Sequence, residues 1–389
     1  MKIGFQIEHL DPARGGAETY VHRFARELLA AGHDVHLFAA DFGAELEGAV
    51  AHHVLQRGLS RPERDLRFAR AAAKAARRAD LDVVVAVGRT FGANVLQPHG
   101  GTLPGSRRQN VRLLASPTLR RLKRAFDWLN PRTRMQLWIE RRQHEAAPPP
   151  EVVAISKMVR SDMREFYGVP DERLHLVYNG VDTRQFSPEA CEAVRDETRE
   201  AWGLAPEETC FLIVAHNLRL KGMRELVEAG ARLDKGKPWR VVVVGKGSPR
   251  SYVEQIELGG CGGRFQFAGP LADVVPAYAA ADVYVQPTWY DPCSLVVLEA
   301  LACGRPVITT RLNGASELME DGRDGLVLET PAGIDALVDA MLELLDADRR
   351  RRMGRAARET AERHPIERNF EQMMAVFEKA AARKEARGG

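Results

Sequence analysis

Short apolar runs alternate along the chain with longer stretches in which apolar side chains return every three or four positions. The run KIGFQI at 2–7 predicts a strand, and residues 17–30 have the spacing of a helix before AGHD turns the chain into VHLFAA. Residues 83–87 and 95–98 predict further strands, and EVVAI and LHLVY flank a helix over about 156–166. This alternation predicts a parallel sheet with helices on both faces. A second series begins after NGVDTRQFSPEAC, with CFLIVA, WRVVVVG, RFQFAG, DVYVQP and PVITT as its strands. Two consecutive series predict an α/β chain of two doubly wound domains with a cleft between them and a boundary near 179–188. Ile366, Phe370, Met373, Met374 and Phe377 share one face of a final helix, a pattern suited to core packing.

Composition narrows the function. At 389 residues the chain is long enough for two cores. A net charge of +3 does not mark a nucleic-acid binder. The 5 cysteines form no CxxC pair and no metal-ligand spacing, which fits a reducing cytosol. The chain opens directly on a strand pattern, so no signal peptide is expected, and no apolar run is long enough to span a bilayer. Of two DxD triplets, Asp80 and Asp82 precede their strand, while Asp346 and Asp348 fall between two helical patterns. Neither suggests a ligand site, and no metal is expected.

Ligands of doubly wound sheets sit beyond the carboxyl ends of the strands, so the loops after strands hold the candidates. Gly15 and Gly16 end the first such loop and precede a helix whose free N–H groups suit an anion; an ordinary tight turn is the alternative. The spacing is not GxGxxG, so a nicotinamide dinucleotide fingerprint is absent. Arg219 and Lys221, in AHNLRLKGMREL, place two cations at a strand-to-helix loop, suited to a diphosphate or merely solvated. In PTWYDPCSLVVLEALACG a helix is expected from Cys293 or Ser294, with the N–H groups of Cys293, Ser294 and Leu295 facing the ligand. Glu299 lies inside that helix among aliphatic neighbours. A buried carboxylate needs donors, which two adjacent ribose hydroxyls or an internal arginine would supply. Asp291 precedes the helix, where the remaining sugar would lie. His99, in VLQPHGG, is either structural or part of a site facing Asp291 and Glu299.

Together these pieces resemble the retaining GT-B glycosyltransferases of family four. The spacing from Asp291 to Glu299 looks like that family's acidic-x7-Glu motif, and GGAE, QPHGG, AISKM, YNGVDTRQFSP, LRLKG, VVVVGKG, FAGPL and CGRPVITTRLNGASELMEDGRDGLV match in order. Bacterial enzymes that build surface polysaccharide, notably lipopolysaccharide-core glucosyltransferases, are nearest in character. The resemblance implies two Rossmann-like domains facing each other across a cleft. Residues 1–182 would bind the acceptor and 183–365 the nucleotide-sugar, and the helix 366–384 would cross back to the first domain. It implies that Glu299 binds the ribose, that Arg219 and Lys221 bind the diphosphate, and that Gly15 and Gly16 approach it from the other side. Asp291 and residues 293–295 would contact the sugar and phosphate, with His99 on the same sugar. The family's first acidic residue is usually Glu; here it is Asp291, one methylene shorter. The implied reaction is metal-independent front-face transfer from a donor, UDP-linked or GDP-linked.

Residues 107–142 differ from the rest. Arg107, Arg108, Arg112, Arg120, Arg121, Lys123, Arg124, Arg132, Arg134, Arg141 and Arg142 stand against only Asp127 and Glu140, with Leu119, Leu122, Phe126, Trp128 and Leu129 between them. Such a stretch suits an anionic membrane surface, a phosphorylated acceptor, or a solvated helix face. The expected partners are therefore a nucleotide-sugar donor, a glycan or glycolipid acceptor and an anionic membrane, but no nucleic acid. The expected location is cytoplasmic or peripheral on the inner membrane face. A sugar-nucleotide 2-epimerase-like isomerase and a non-catalytic sugar-nucleotide-binding protein are the competing functions.

Overall fold

A computed structural model describes residues 1–43, 46–114 and 116–388. The chain divides into two compact units, Met1–Tyr178 with Phe370–Gly389, and Asn179–Asn369. Among the described residues the first unit has a parallel sheet in the order Val50–His53, Asp34–Ala39, Lys2–Gln6, Val83–Ala86, Val95–Leu96, Glu151–Ala154, Leu174–Leu176. The second has the order Phe265–Gly269, Trp239–Val244, Thr209–Val214, Val283–Gln286, Val307–Thr310, Gly325–Leu328. Strand order reverses beside the first strand of each series, the doubly wound pattern.

Near-continuous apolar runs such as Trp239–Val244 become central strands because helices cover both sheet faces. Two edge strands escaped the sequence reading. Val50–His53 is half polar and mostly exposed, and Gly325–Leu328 follows a glycine turn with only four residues of its own. The closing helix Ile366–Gly388 contributes Phe370 and Phe377 to the first core, stacked on Phe24 at ring-centroid distances of 4.5 and 5.7 Å. No helix among the described residues is long and apolar enough to cross a membrane.

The basic segment forms helices Leu103–Arg112, Pro117–Leu129 and Pro131–His144. The middle one is inside out. Its one buried residue is Asp127, held by Arg107 at 2.6 Å and Lys123 at 2.7 Å. Leu119, Leu122, Phe126, Trp128 and Leu129 are 51–71% exposed. The other acid, Glu140, is also buried; it accepts from Leu103 N–H at 2.8 Å, Tyr167 Oη at 2.7 Å and Arg89 Nε at 3.0 Å. Both acids are thus committed internally, while Arg121 and Arg124 reach solvent beside the apolar row.

Candidate active site

In the second unit, Arg219 and Lys221 follow strand Thr209–Val214, and Asp291 follows its parallel neighbour Val283–Gln286. The two loops are joined. Trp289 N–H donates to the Leu220 carbonyl at 2.9 Å, and Thr288 Oγ1 donates to the same oxygen at 3.0 Å. Gly222 permits this approach: its φ is +83°, and a Cβ there would stand 2.0 Å from the Pro287 carbonyl oxygen.

The junction sets Lys221 Nζ in an ion pair with Asp291 Oδ2, and Gln286 Nε2 lies 3.5 Å from the same oxygen. Asp291 is 7% exposed, so the lysine supplies the countercharge a buried carboxylate requires. The backbone of Asp291 is fixed too, donating to Leu312 C=O at 2.9 Å and accepting from Gly314 N–H at 2.8 Å. Arg219, exposed on the same loop, has no ion-pair partner among the described residues. Glu225 is buried in the helix that follows, and burial pushes its carboxyl above the usual range.

The next helix is Leu295–Ala302, one or two residues later than the sequence suggests, because Ser294 takes the N-cap position. Its N–H donates to Asn313 Oδ1 at 3.3 Å and its hydroxyl to Gln286 Oε1 at 3.1 Å. The expected free N–H of Ser294 is therefore consumed by Asn313, which leaves the N–H groups of Cys293 and Leu295 as candidate donors. Cys293 is also fixed from behind, its carbonyl accepting from Asn179 Nδ2 at 2.8 Å. Burial pushes the Cys293 thiol well above its ordinary range, so it stays protonated.

Glu299 is less buried than its neighbours imply. Val297, Leu298, Ala300, Leu301 and Ala302 face inward, whereas Glu299 shares a half-buried face with Leu295 and Val296. Tyr278 donates to it, with Oη 2.7 Å from Glu299 Oε2. Burial, and then the Glu299 charge, raise the Tyr278 phenol far above its usual range, so it remains a donor.

In the first unit, Gly15 precedes helix Gly16–Ala30 with extended backbone and no side-chain cap. Tyr20 of that helix lies against the His99 ring at 4.3 Å between centroids. It also accepts from Gln97 Nε2 at 3.2 Å. His99 is 9% exposed, its Nε2 has no hydrogen-bond partner among the described residues, and burial lowers its pKa to about 3. Near neutral pH this is an uncharged ring with one unsatisfied nitrogen, a state that a ligand hydroxyl would complete.

The structure thus groups Arg219, Lys221, Asp291, Cys293, Ser294, Leu295 and Glu299 in the second unit. In the first it groups His99 with the helix that Gly15 and Gly16 open. Sequence reasoning missed Tyr278, Gln286, Asn179 and Asn313. Asn179 and Asn313 each precede glycine, and an Asn-Gly pair after a strand reads as a turn. Nothing local shows that their side chains brace Cys293 and Ser294.

Residues 14–185 match the family described as Glycosyltransferase Family 4, and residues 209–347 the family described as Glycosyl transferases group 1. Alpha-D-kanosaminyltransferase of Streptomyces kanamyceticus is 31% identical over 214 residues, covering 54% of this chain and 54% of its own. The chain spans about half the length of the curated relatives it matches. Among solved structures, WaaG, a glycosyltransferase involved in lipopolysaccharide biosynthesis, superposes with a TM-score of 0.80 at 21% identity, covering 97% of this chain and 98% of its own. Anabaena HepE, crystallised with UDP and glucose, gives a TM-score of 0.73 at 20% identity over 97% and 99% of the two chains. At such identities the structural likeness is one of fold.

Proposed function

Because the chain belongs to the group 1 glycosyltransferases of family four and has their GT-B fold of two Rossmann-like domains, we propose that it is a retaining hexosyltransferase. It would move a hexose from a nucleotide-sugar, UDP-linked, to a lipopolysaccharide, lipid-linked or other glycan acceptor. The observation that carries this reading is the pairing of Lys221 with Asp291 at the carboxyl edge of the second sheet, with Glu299 on the helix that follows. HepE's complex with UDP and glucose supports the choice of UDP.

In the proposed reaction the bond between the sugar's anomeric carbon and the diphosphate breaks, and the leaving diphosphate gains negative charge. Lys221 shares its ammonium between Asp291 and that phosphate, Arg219 adds a second cation, and the N–H groups of Cys293 and Leu295 point at the same oxygens. These fixed charges stabilise the leaving group without a metal. Glu299, braced by Tyr278, accepts from the ribose hydroxyls. Asp291 and the neutral His99 ring hydrogen-bond the sugar. The acceptor hydroxyl attacks from the face the diphosphate leaves, and its proton passes to the departing phosphate oxygen.

A lipid-linked acceptor fits the outward apolar row of helix Pro117–Leu129 and the arginines beside it, which suit the inner face of an anionic membrane. The reading is tested by incubating the protein with UDP-hexoses and a glycolipid acceptor, following UDP release, and determining product stereochemistry by NMR. The α-linked donor should yield an α-linked product. An isomerised sugar formed without acceptor would establish the epimerase instead. UDP binding without turnover across an acceptor panel would establish a binding protein.

A further inference from the structure

A cavity of about 630 Å³ lies in the second unit, away from the residues described above. Asp282 and Pro306 line it, and they precede strands Val283–Gln286 and Val307–Thr310, so it sits at the amino edge of the sheet. Helix Leu295–Ala302 separates the two places, with Ser294 at one end and the cavity-lining Cys303 about 13–14 Å along the axis at the other.

The lining is strongly cationic. Arg195, Arg305, Arg350, Arg351, Arg355 and Arg358 line it together with two carboxylates, Glu192 and Asp282. On the same helix Asp348 pairs with Arg351 and Glu362 with Arg358, at 2.8 Å for the latter, so the excess of positive charge rests chiefly on Arg305, Arg350 and Arg355. Asp282 is already committed to Arg195 at 2.6 Å, to Arg199 at 3.2 Å and to the Cys210 N–H at 2.8 Å. Arg305 and Arg350 donate to carbonyls, of Tyr278 at 2.9 Å and Leu344 at 2.8 Å, which satisfies hydrogen bonds but not charge. Arg355 has no ion-pair partner among the described residues. Arg351, Arg355 and Arg358 recur at i, i+4 and i+7, so one face of helix Ala347–Glu362 carries all three. The amino end of that helix, at Ala347, also lines the cavity, its partial positive charge met by the Asp346 cap, which accepts from the Arg349 N–H at 2.6 Å.

Backbone geometry holds this face in place. A Cβ on Gly354 would stand 2.5 Å from the Gly304 carbonyl oxygen, so the helix lies directly on the loop 303–306. At Arg350 burial is the main influence and lowers the guanidinium; Asp282 and Asp346 raise it, and Arg195 and Arg351 push it down again. Like charges held together in a concave, partly desolvated place repel one another strongly, and guanidinium forks match phosphate oxygens better than any neutral ligand. The volume suits a sugar phosphate or a nucleotide.

We propose that this arginine-lined cavity binds a small phosphorylated metabolite, at a site distinct from the nucleotide-sugar site and independent of the transfer reaction. The test is calorimetric titration of pyrophosphate into the full chain. The Arg219→Ser/Lys221→Ser variant serves as background, so that the other diphosphate site does not contribute. Pyrophosphate should still bind this variant, and adding Arg351→Ser/Arg355→Ser should weaken that binding at least tenfold. Both added positions are exposed, so thermal melting should be unchanged. Pyrophosphate affinity indifferent to Arg351→Ser/Arg355→Ser, or already abolished in the background variant, would overturn the proposal. Failure of the nucleotide reading would show separately, as UDP affinity insensitive to Arg219→Ser/Lys221→Ser.

Discussion

Asp291 and Lys221 neutralise each other across two loops, so removing either leaves the other as a buried, unpaired charge. Lys221→Met should therefore act twice. Turnover should fall roughly 10²- to 10³-fold through lost stabilisation of the leaving diphosphate, and the second unit should lose about 3 kcal/mol, read from initial rates and urea melts. Asp291→Asn should give a similar rate loss. Glu299→Gln is the sharper probe of recognition, because its amide oxygen still accepts from Tyr278 while the charge is gone. Donor KM should rise at least tenfold with stability little changed. Tyr278→Phe should reproduce part of that rise by removing one donor from the carboxylate, and wild-type kinetics in both variants would remove Glu299 from the nucleotide pocket. The eight-residue spacing of the two acids was visible in the chain. Their partners, Lys221 70 positions and Tyr278 21 positions earlier, were not, because a pairing across strands leaves no periodic trace.

Two elements set how the site is presented. The loop around Asn313 supports the start of helix Leu295–Ala302. Its side chain accepts from Ser294 N–H and Ala315 N–H, and donates to Gln286 Oε1 at 3.3 Å and Thr309 Oγ1 at 3.1 Å. Asn313→Ala leaves the buried N–H groups of Ser294 and Ala315 unmatched and should cost about 2–3 kcal/mol, with a larger fractional loss in kcat than in donor affinity. Equal losses in the two would mean that the loop merely holds the fold. The other element is helix Pro117–Leu129, whose buried acid and exposed apolar row invert the usual pattern of a surface helix. Replacing Arg120, Arg121, Lys123 and Arg124 with Ser should weaken sedimentation with anionic vesicles, by up to about 1 kcal/mol for each charge near the surface. Phe126→Ser should weaken it further, and indifference of vesicle binding to both changes would leave the helix as a solvated face. Mixed basic and apolar spacing in the sequence predicted an amphipathic helix. Which side faced outward was decided by Asp127, drawn inward by Arg107 and Lys123.

For the molecule as a whole, a buried and a half-buried histidine make stability sensitive to acid. His99 and His144 have pKa values lowered by burial to about 3 and about 4, against an ordinary 6.5. Above pH 6.5 neither folded nor unfolded chain protonates them, and their contribution is complete. Below it the unfolded chain takes up protons that the folded chain refuses, so stability falls as pH drops from 6.5 toward 3–4. At pH 5 each ring should cost about 2 kcal/mol relative to pH 7. A His144→Phe variant, its ring still stacked on Tyr167, should lose less stability than wild type over that interval in urea titrations. Identical pH slopes would contradict the burial argument.

What the sequence determined by itself was periodic or local. Alternating apolar runs and helical spacings gave two doubly wound sheets, and strand-end loops marked Gly15, His99, Arg219, Lys221 and Asp291 as candidates, because backbone hydrogen bonding and burial act over a few residues at a time. The tertiary structure alone decided what came from far along the chain: Lys221 beside Asp291, Tyr278 under Glu299, Asn313 on the N–H of Ser294, and the arginines gathered at the opposite edge of the second sheet. Those choices depend on which strands become neighbours. That in turn is set by how whole helices cover the two sheet faces, a property no short stretch of residues encodes.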